Sequence, residues 1–274
     1  MFLLNHKEVK LIRFPAGEVS PDISGLGREP SHKYHIDWRF ESTDEVFILA
    51  QLVDAIRGCS RVDKLTLNVP YFPFSRQDRR VNLGESNSLK VICDILKSLN
   101  FTKIYTYDAH SLLMSAYLGQ VLYSVPQHQR LIQSKVVASA GSKILLVSPD
   151  QGASKKTQEC ASFLAAHISG DDIDIQVLQC LKSRDPKKGN VNTLKVFYEG
   201  QDFSDYTIIV VDDICDGGAT FIAIAQELQR LRIKGKSLNL YTTHGIYSKG
   251  KSELLVYYDQ IDCSYLQSKP RTPF

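Results

Sequence analysis

Three carboxylates, Asp212, Asp213 and Asp216, fall within five residues, and Gly217, Gly218, Ala219 and Thr220 follow at once. Carboxylates accept hydrogen bonds from sugar hydroxyls or metal-bound water. Small residues that open a helix let a phosphate approach backbone amides lacking an intrahelical partner. A turn offering both groups suits a phosphorylated sugar; a capped acidic turn is the plainer alternative. A second stretch, Asp150-Gln151-Gly152-Ala153-Ser154, repeats this order on a smaller scale, as a second phosphate or pyrophosphate site would need. Alone, it reads equally well as an ordinary cap. Asp108 and His110 stand at a third strand exit, where a histidine is either a ligand or a hydrogen-bonded structural residue. Finally, two prolines and three aromatics precede Arg76, Gln77, Asp78, Arg79 and Arg80. Such a framework is stiff, guanidinium forks suit a polyphosphate, and Gln can read a base edge. The competing reading is a solvated basic loop.

The elements that must position these residues alternate along the chain. Ile208-Ile209-Val210-Val211 is short, β-branched and continuous, which predicts a strand buried on both faces of a parallel sheet. The acids after it then lie where open α/β sheets bind ligands. Residues 45–50, 64–69, 103–108, 143–150, 174–180, 194–199 and 237–245 also read as strands. Helices are expected over 87–100, with Ser86 or Ser88 as N-cap, and over 153–168 and 219–231. This alternation predicts α/β architecture with parallel sheets and covering helices. It occurs twice, so residues 1–126 and 127–274 are expected to form two α/β halves divided near the polar stretch 124–135.

Composition narrows the function. Of 274 residues, 43% are hydrophobic and 23% charged, ordinary globular values. A net charge of +3 argues against nucleic acid as a partner. No apolar run approaches the roughly 18 residues of a membrane span, and the opening apolar stretch is too short for a signal-peptide core. The six cysteines are widely spaced, with no CxxC pair. That pattern disfavours a metal cluster or disulfide framework and suggests a cytoplasmic protein.

On these motifs the chain resembles the ribose-phosphate pyrophosphokinases, also called phosphoribosyl pyrophosphate synthetases. Tyr71-Phe72-Pro73-Phe74-Ser75-Arg76-Gln77-Asp78-Arg79-Arg80 resembles that family's ATP loop, and Asp108-Ala109-His110 its metal-binding Asp-x-His. The stretch 147–156 resembles its pyrophosphate loop, 210–220 its ribose-phosphate loop, and 14–20 its adenine-contacting element. The motifs occur in family order. The resemblance implies two phosphoribosyltransferase-like halves and transfer of the β,γ-diphosphate of ATP to the 1-hydroxyl of ribose 5-phosphate. It implies Mg2+ at His110 and Asp150, and ATP held by Phe14, Glu18, Arg76, Gln77, Arg79 and His110. Asp150, Gln151, Gly152 and Ala153 would form the pyrophosphate loop. Asp212, Asp213, Asp216, Gly217, Gly218, Ala219 and Thr220 would bind the ribose phosphate. Lys182 and Arg184 would be catalytic, carried by a polar lid after a strand. It further implies a homo-oligomer, a dimer or higher, with Phe14 and Glu18 reaching a neighbour's ATP.

The chain departs from the family pattern at Ala219, at Ala16, after the apolar run at 46–49, where an insert is missing, and at its C-terminal end. The last two imply weaker nucleotide regulation. The altered phosphate loop leaves open an acceptor substituted at its 5-position, such as ADP-ribose, giving ADP-ribose pyrophosphate. A phosphoribosyltransferase would share residues 210–220 but would not need the arginine loop or a second half. A non-catalytic regulatory relative would be expected to lose Lys182, Arg184, His110 or Asp150.

Overall fold

The computed structural model describes residues 1–27, 29–170, 172–184 and 191–267. These divide into two compact units, one comprising residues 1–125 and joined by Gln267, the other Pro126–Leu266.

In the first unit the elements run β1 (Phe2–Leu4), β2 (Lys7–Glu8), β3 (Lys10–Arg13), β4 (Val19–Asp22), β5 (Lys33–Trp38), α1 (Glu45–Cys59), β6 (Lys64–Asn68), α2 (Ser88–Ser98), β7 (Lys103–Tyr107), α3 (Leu112–Leu118) and β8 (Leu122–Val125). The main sheet has the order β2-β1-β5-β6-β7-β8; β5 to β8 are parallel, and β1 is antiparallel to both neighbours. β3 and β4 form a separate hairpin. Tyr34, Ile36 and Trp38 of β5 alternate into the core, where Leu49, Leu52 and Ile56 of α1 and Leu89, Ile92 and Leu96 of α2 meet them. The strand expected over 45–50 is instead the start of α1. Ile48, Leu49, Leu52, Val53 and Ile56 are buried at helical spacing, and fifteen residues of that period outweigh the β preference of six. The missing insert was inferred from a strand there, so that inference falls with it. The N-cap of α2 is neither Ser86 nor Ser88 but Asn87, whose side chain accepts from the Lys90 N–H.

The second unit runs α4 (Gln127–Leu131), α5 (Lys135–Ala138), β9 (Lys143–Ser148), α6 (Gln151–His167), β10 (Asp174–Arg184), β11 (Val191–Val196), β12 (Thr207–Cys215), α7 (Ala219–Arg230), β13 (Ser237–Gly245) and β14 (Gln260–Leu266). Its sheet order is β11-β10-β9-β12-β13-β14; only the β10–β11 pair is antiparallel. The continuous apolar runs have a simple cause. Leu145, Val147, Ile208 and Val210 enter the core that includes Phe221, Ile224 and Leu228 of α7. Their neighbours Ile144, Leu146, Ile209 and Val211 enter the opposite core, with Leu131, Val136, Cys160 and Leu164. Both faces are dry, so no polar alternation remains. The architecture is the expected one: two α/β halves, each a largely parallel sheet flanked by helices.

Candidate active site

Strand order sets where ligands can bind in the second unit. From β9 the chain steps to β10 on one side, whereas β12, β13 and β14 proceed to the other. The order therefore reverses between β9 and β12, and the crevice beyond their C-terminal ends is the usual ligand position of an open α/β sheet. α6 and α7 begin at that crevice.

α6 is capped by Asp150, whose Oδ1 accepts from the Ala153 N–H at 3.0 Å. The Ser148 hydroxyl donates to the Asp150 carbonyl at 2.9 Å and fixes the turn. Gln151 and Gly152 are exposed, and Ala153 is half-buried. A methyl placed on Gly152 would lie 3.2 Å from Asp150 Oδ1, so bare backbone keeps the cap and the approach open.

β12 outlasts its neighbour. It pairs with β9 from Thr207 to Val210, and with β13 through Asp212, Ile214 and Cys215. Asp212 and Asp213 thus lie within the strand rather than after it, and both are half-buried. Asp212 Oδ1 accepts from the Asp213 N–H at 2.9 Å. The Asp212 carbonyl accepts from Gln127 Nε2 at 2.6 Å, and the same amide nitrogen lies 3.3 Å from Thr243 Oγ1. Lys156, on the second turn of α6, places Nζ 3.8 Å from Asp213 Oδ2. α6 is therefore linked to the acidic turn as well as capped beside it. Asp216 and Gly217 are half-buried, and Gly218 caps α7 with φ +81°, ψ −10°. Ala219 is exposed and Thr220 half-buried at the start of that helix. The structure thus gathers Asp150, Gln151, Gly152 and Ala153 with Asp212, Asp213, Asp216, Gly217, Gly218, Ala219 and Thr220 around one switch point.

Lys182 and Arg184 are not in a loop after a strand, as the family pattern implied. They belong to the backbone of β10 and pair with Leu194 and Val191 of β11, with a register shift between Ser183 and Arg184. The remainder of the expected lid, 185–190, lies outside the described residues.

In the first unit Arg76, Gln77 and Arg79 occupy the loop between β6 and α2, all exposed. Phe72 is buried and Phe74 packs against the core at its base. Phe74 has φ +60° and turns the chain so that its carbonyl accepts from the Gln77 N–H at 2.9 Å. Asn87 Nδ2 donates to the Asp78 carbonyl at 3.1 Å, and Gln77's carbonyl accepts from the Leu89 N–H at 3.1 Å. The loop is basic but fastened at both ends. Arg79 Nε lies 3.2 Å from Asp78 Oδ1. His110 is exposed between β7 and α3, two residues after buried Asp108 with φ +43°. Phe14 and Glu18 are exposed at the tip of the β3–β4 hairpin, where the Phe14 N–H donates to the Glu18 carbonyl at 2.9 Å. A cavity of about 410 Å³ opens between β4 and α1, lined by Pro21, Phe47 and Gln51; none of the expected site residues lines it.

Among the described residues, no group of three or more His, Cys, Asp and Glu side chains is assembled as a metal cage. The donor set at the crevice is nonetheless hard carboxylate oxygen. Mg2+ is commonly held by one or two carboxylates with substrate phosphates and water, so these residues fit it. All six cysteines are free thiols. Burial pushes the thiols of Cys93, Cys180 and Cys215 up to about 12, which keeps them protonated and unreactive. No helix among the described residues is long and apolar enough to cross a membrane.

Reading the sequence missed Gln127 and Lys156. Gln127 lies in the stretch taken as a polar divider, and nothing local marks it. Lys156 carried a signal: cations near a helix N-terminus oppose the helix dipole unless paired.

No protein-family model matches the chain. It is 28% identical over 260 residues to a ribose-phosphate pyrophosphokinase of Thermococcus kodakarensis, covering 90% of this chain and 80% of that protein. It is 27% identical over 242 residues to the Haemophilus influenzae protein of the same name, covering 88% and 72%. A solved phosphoribosylpyrophosphate synthetase from Mycobacterium smegmatis superposes with a TM-score of 0.70 at 18% identity, covering 92% of this chain and 77% of that one. The chain is thus similar along most of its length to ribose-phosphate pyrophosphokinases, in sequence and in fold.

Proposed function

We propose that the chain is a ribose-phosphate diphosphokinase-type transferase that moves the β,γ-diphosphate of ATP to the 1-hydroxyl of ribose 5-phosphate, giving phosphoribosyl pyrophosphate and AMP. The observation that carries this reading is the pair of helix N-termini, α6 and α7, flanking three carboxylates at the β9/β12 switch point. Donors for anionic oxygens and acceptors for hydroxyls meet there, as a phosphorylated pentose requires.

In this reading Asp212 and Asp213 hold the ribose hydroxyls, and Asp216 to Thr220 take the 5-phosphate on their backbone. Gln151, Gly152 and Ala153 donate to the diphosphate being moved. Arg76, Gln77 and Arg79 hold ATP, with Phe14 and Glu18 contacting the adenine of a second copy's nucleotide in a homo-oligomer. The acceptor's 1-oxygen bonds to the β-phosphorus as the bond from that phosphorus to the α,β-bridging oxygen breaks. AMP leaves with the electron pair, and the hydroxyl proton is lost to solvent or a base. Such a step is accelerated by alignment and by positive charge on the phosphoryl oxygens. Lys182 and Arg184 supply that charge from β10. Asp150 in one unit and His110 in the other are each residues that would hold Mg2+, which when bound would supply further neutralisation of the phosphoryl oxygens.

A second reading keeps the chemistry and changes the acceptor to ADP-ribose. Ala219 is exposed at the start of α7, so the phosphate turn is open on that side. Incubating the protein with ATP, Mg2+ and either ribose 5-phosphate or ADP-ribose, and measuring AMP release, tests both. AMP formed only with ribose 5-phosphate supports the first reading, and AMP formed only with ADP-ribose the second. AMP with neither acceptor ends both.

A further inference from the structure

The turn after β13 forms a second wall over the phosphate turn. The Ile246 and Tyr247 N–H groups both donate to the Cys215 carbonyl, at 2.8 and 3.1 Å. Leu254 packs on Gly218, where an added methyl would lie 3.2 Å from its Cγ. The Tyr258 hydroxyl donates to the Phe221 carbonyl at 2.7 Å. The wall is thus anchored before, within and after the turn it covers. The Gly250 N–H donates to the Tyr247 carbonyl at 2.7 Å, and φ is +47° at Tyr247 and +77° at Gly250, so residues 247–250 form a tight loop. At its tip the aliphatic stem of Lys249 crosses Gly217: a methyl there would lie 3.7 Å from Lys249 Cε, 3.8 Å from Cδ and 3.9 Å from Ser248 Oγ.

Two lysines occupy this loop, and their settings differ. Lys251 places Nζ 4.4 Å from the Tyr247 ring centroid, so its charge is engaged in holding the loop. Lys249 is exposed, and no ion pair is formed by it among the described residues. Its stem lies along the bare backbone of the turn, and its ammonium is carried at the end of that stem. A long cationic side chain laid on a glycine, beside the first amides of a helix, is a suitable arrangement for adding a point charge to an anion bound there.

We propose that Lys249 is a further substrate-binding and specificity-determining residue, its ammonium pairing with the phosphoryl group at the 5-position of the pentose acceptor. The inference rests on the proposed reading of the 216–220 turn as the acceptor-phosphate site. Through Lys249 the enzyme distinguishes a 5-phosphorylated pentose from the neutral sugar by charge as well as by backbone donors.

The test compares wild type, Lys249→Ala and Lys249→Arg, with circular dichroism confirming that the variants fold. Steady-state rates are measured with ATP, Mg2+ and varied ribose 5-phosphate, and with ADP-ribose where that is the acceptor used. Binding of ribose 5-phosphate, of ADP-ribose and of inorganic phosphate is titrated calorimetrically. The expected result for Lys249→Ala is about a tenfold or greater rise in acceptor KM and Kd, a kcat within about twofold, an unchanged KM for ATP, and weaker salt dependence of acceptor binding. Lys249→Arg restores most of the affinity. An unchanged acceptor KM and Kd in Lys249→Ala overturns the proposal while leaving the reaction intact. Absence of turnover with either acceptor, combined with phosphate binding that weakens in Lys249→Ala, removes the proposed reaction but sustains the residue's role. No binding of any phosphorylated ligand by wild type overturns both.

Discussion

Adjacent glycines in the phosphate turn do different work, and substituting each with alanine separates them. Gly218 has φ +81°, and a non-glycine residue held in the left-handed region costs roughly 1–2 kcal/mol. The added methyl would also lie 3.2 Å from Cδ2 and Cγ of Leu254 and 3.3 Å from Cδ1, all inside the preferred carbon–carbon separation. Leu254 is only 2% exposed, so it cannot swing clear without opening a void; such overpacking costs about 1–3 kcal/mol. Gly218→Ala should therefore lose roughly 2–5 kcal/mol of stability, a fall in Tm on the order of 5–15 °C. Gly217 is not in the left-handed region, and a methyl there would make only ordinary contacts from 3.7 to 3.9 Å. Gly217→Ala should keep the wild-type Tm or rise slightly, because alanine restricts the unfolded chain. Its methyl would instead lie against the Lys249 stem and Ser248, beside the space assigned to the acceptor phosphate, so acceptor KM should rise while the KM for ATP holds. Thermal unfolding followed by circular dichroism, with initial rates on the same preparations, measures both effects. If Gly217→Ala destabilises as much as Gly218→Ala, the backbone account is wrong. If it leaves acceptor KM unchanged, no ligand lies over that glycine.

Four further outcomes follow from the structure. Gln127→Leu removes the 2.6 Å donor to the Asp212 carbonyl at a 5% exposed position. It should cost about 1–3 kcal/mol and raise acceptor KM, whereas an unchanged KM would show that Asp212 does not need this clamp. Lys156→Met, which keeps the stem but removes the charge 3.8 Å from Asp213, should alter acceptor use with little change in Tm, because a partly exposed pair contributes little to stability. Iodoacetamide at neutral pH should label exposed Cys59 and spare Cys93, Cys180 and Cys215, whose thiols burial pushes from 9.0 up to about 12. The native state then binds more protons than the unfolded state between those values, so stability should be steady below about pH 9 and fall as pH rises from 9 towards 12. Urea titrations across that range check the sign.

How far the sequence revealed these parts depended on whether the signal was local. β9 and β12 were legible because each is dry on both faces, which leaves an apolar run with no alternation. α1 was misread because Val46 to Ala50 is β-prone in isolation; its helical period shows only when the window extends to Ile56. β5 alternates cleanly at Tyr34, Ile36 and Trp38, yet it is not among the strands expected from the sequence; its alternating positions are polar at His35 and Asp37. Gln127 and Lys249 carry no local mark. They reach the crevice from 85 residues before Asp212 and from a turn beyond the next strand, so their roles come from chain topology. Strand order was equally hidden, since alternating elements are compatible with several orders and only pairing reveals the reversal between β9 and β12.

That reversal explains how acids so close together are held in place. Had β12 ended with β9 at Val210, Asp212 and Asp213 would sit in a loop, free to adapt to any nearby cation. Instead β13 holds the strand through Asp212, Ile214 and Cys215. Beyond Val210 the other edge of β12 has lost β9 as its partner, at the switch point. One-sided pairing fixes the backbone and leaves that edge toward the crevice. The Asp212 carbonyl there is held by Gln127 and the Asp213 carboxylate lies near Lys156, so backbone and side chain are positioned by separate elements, α4 and α6. Orientation imposed in this way is built into the fold, as preorganised binding of a polar ligand requires.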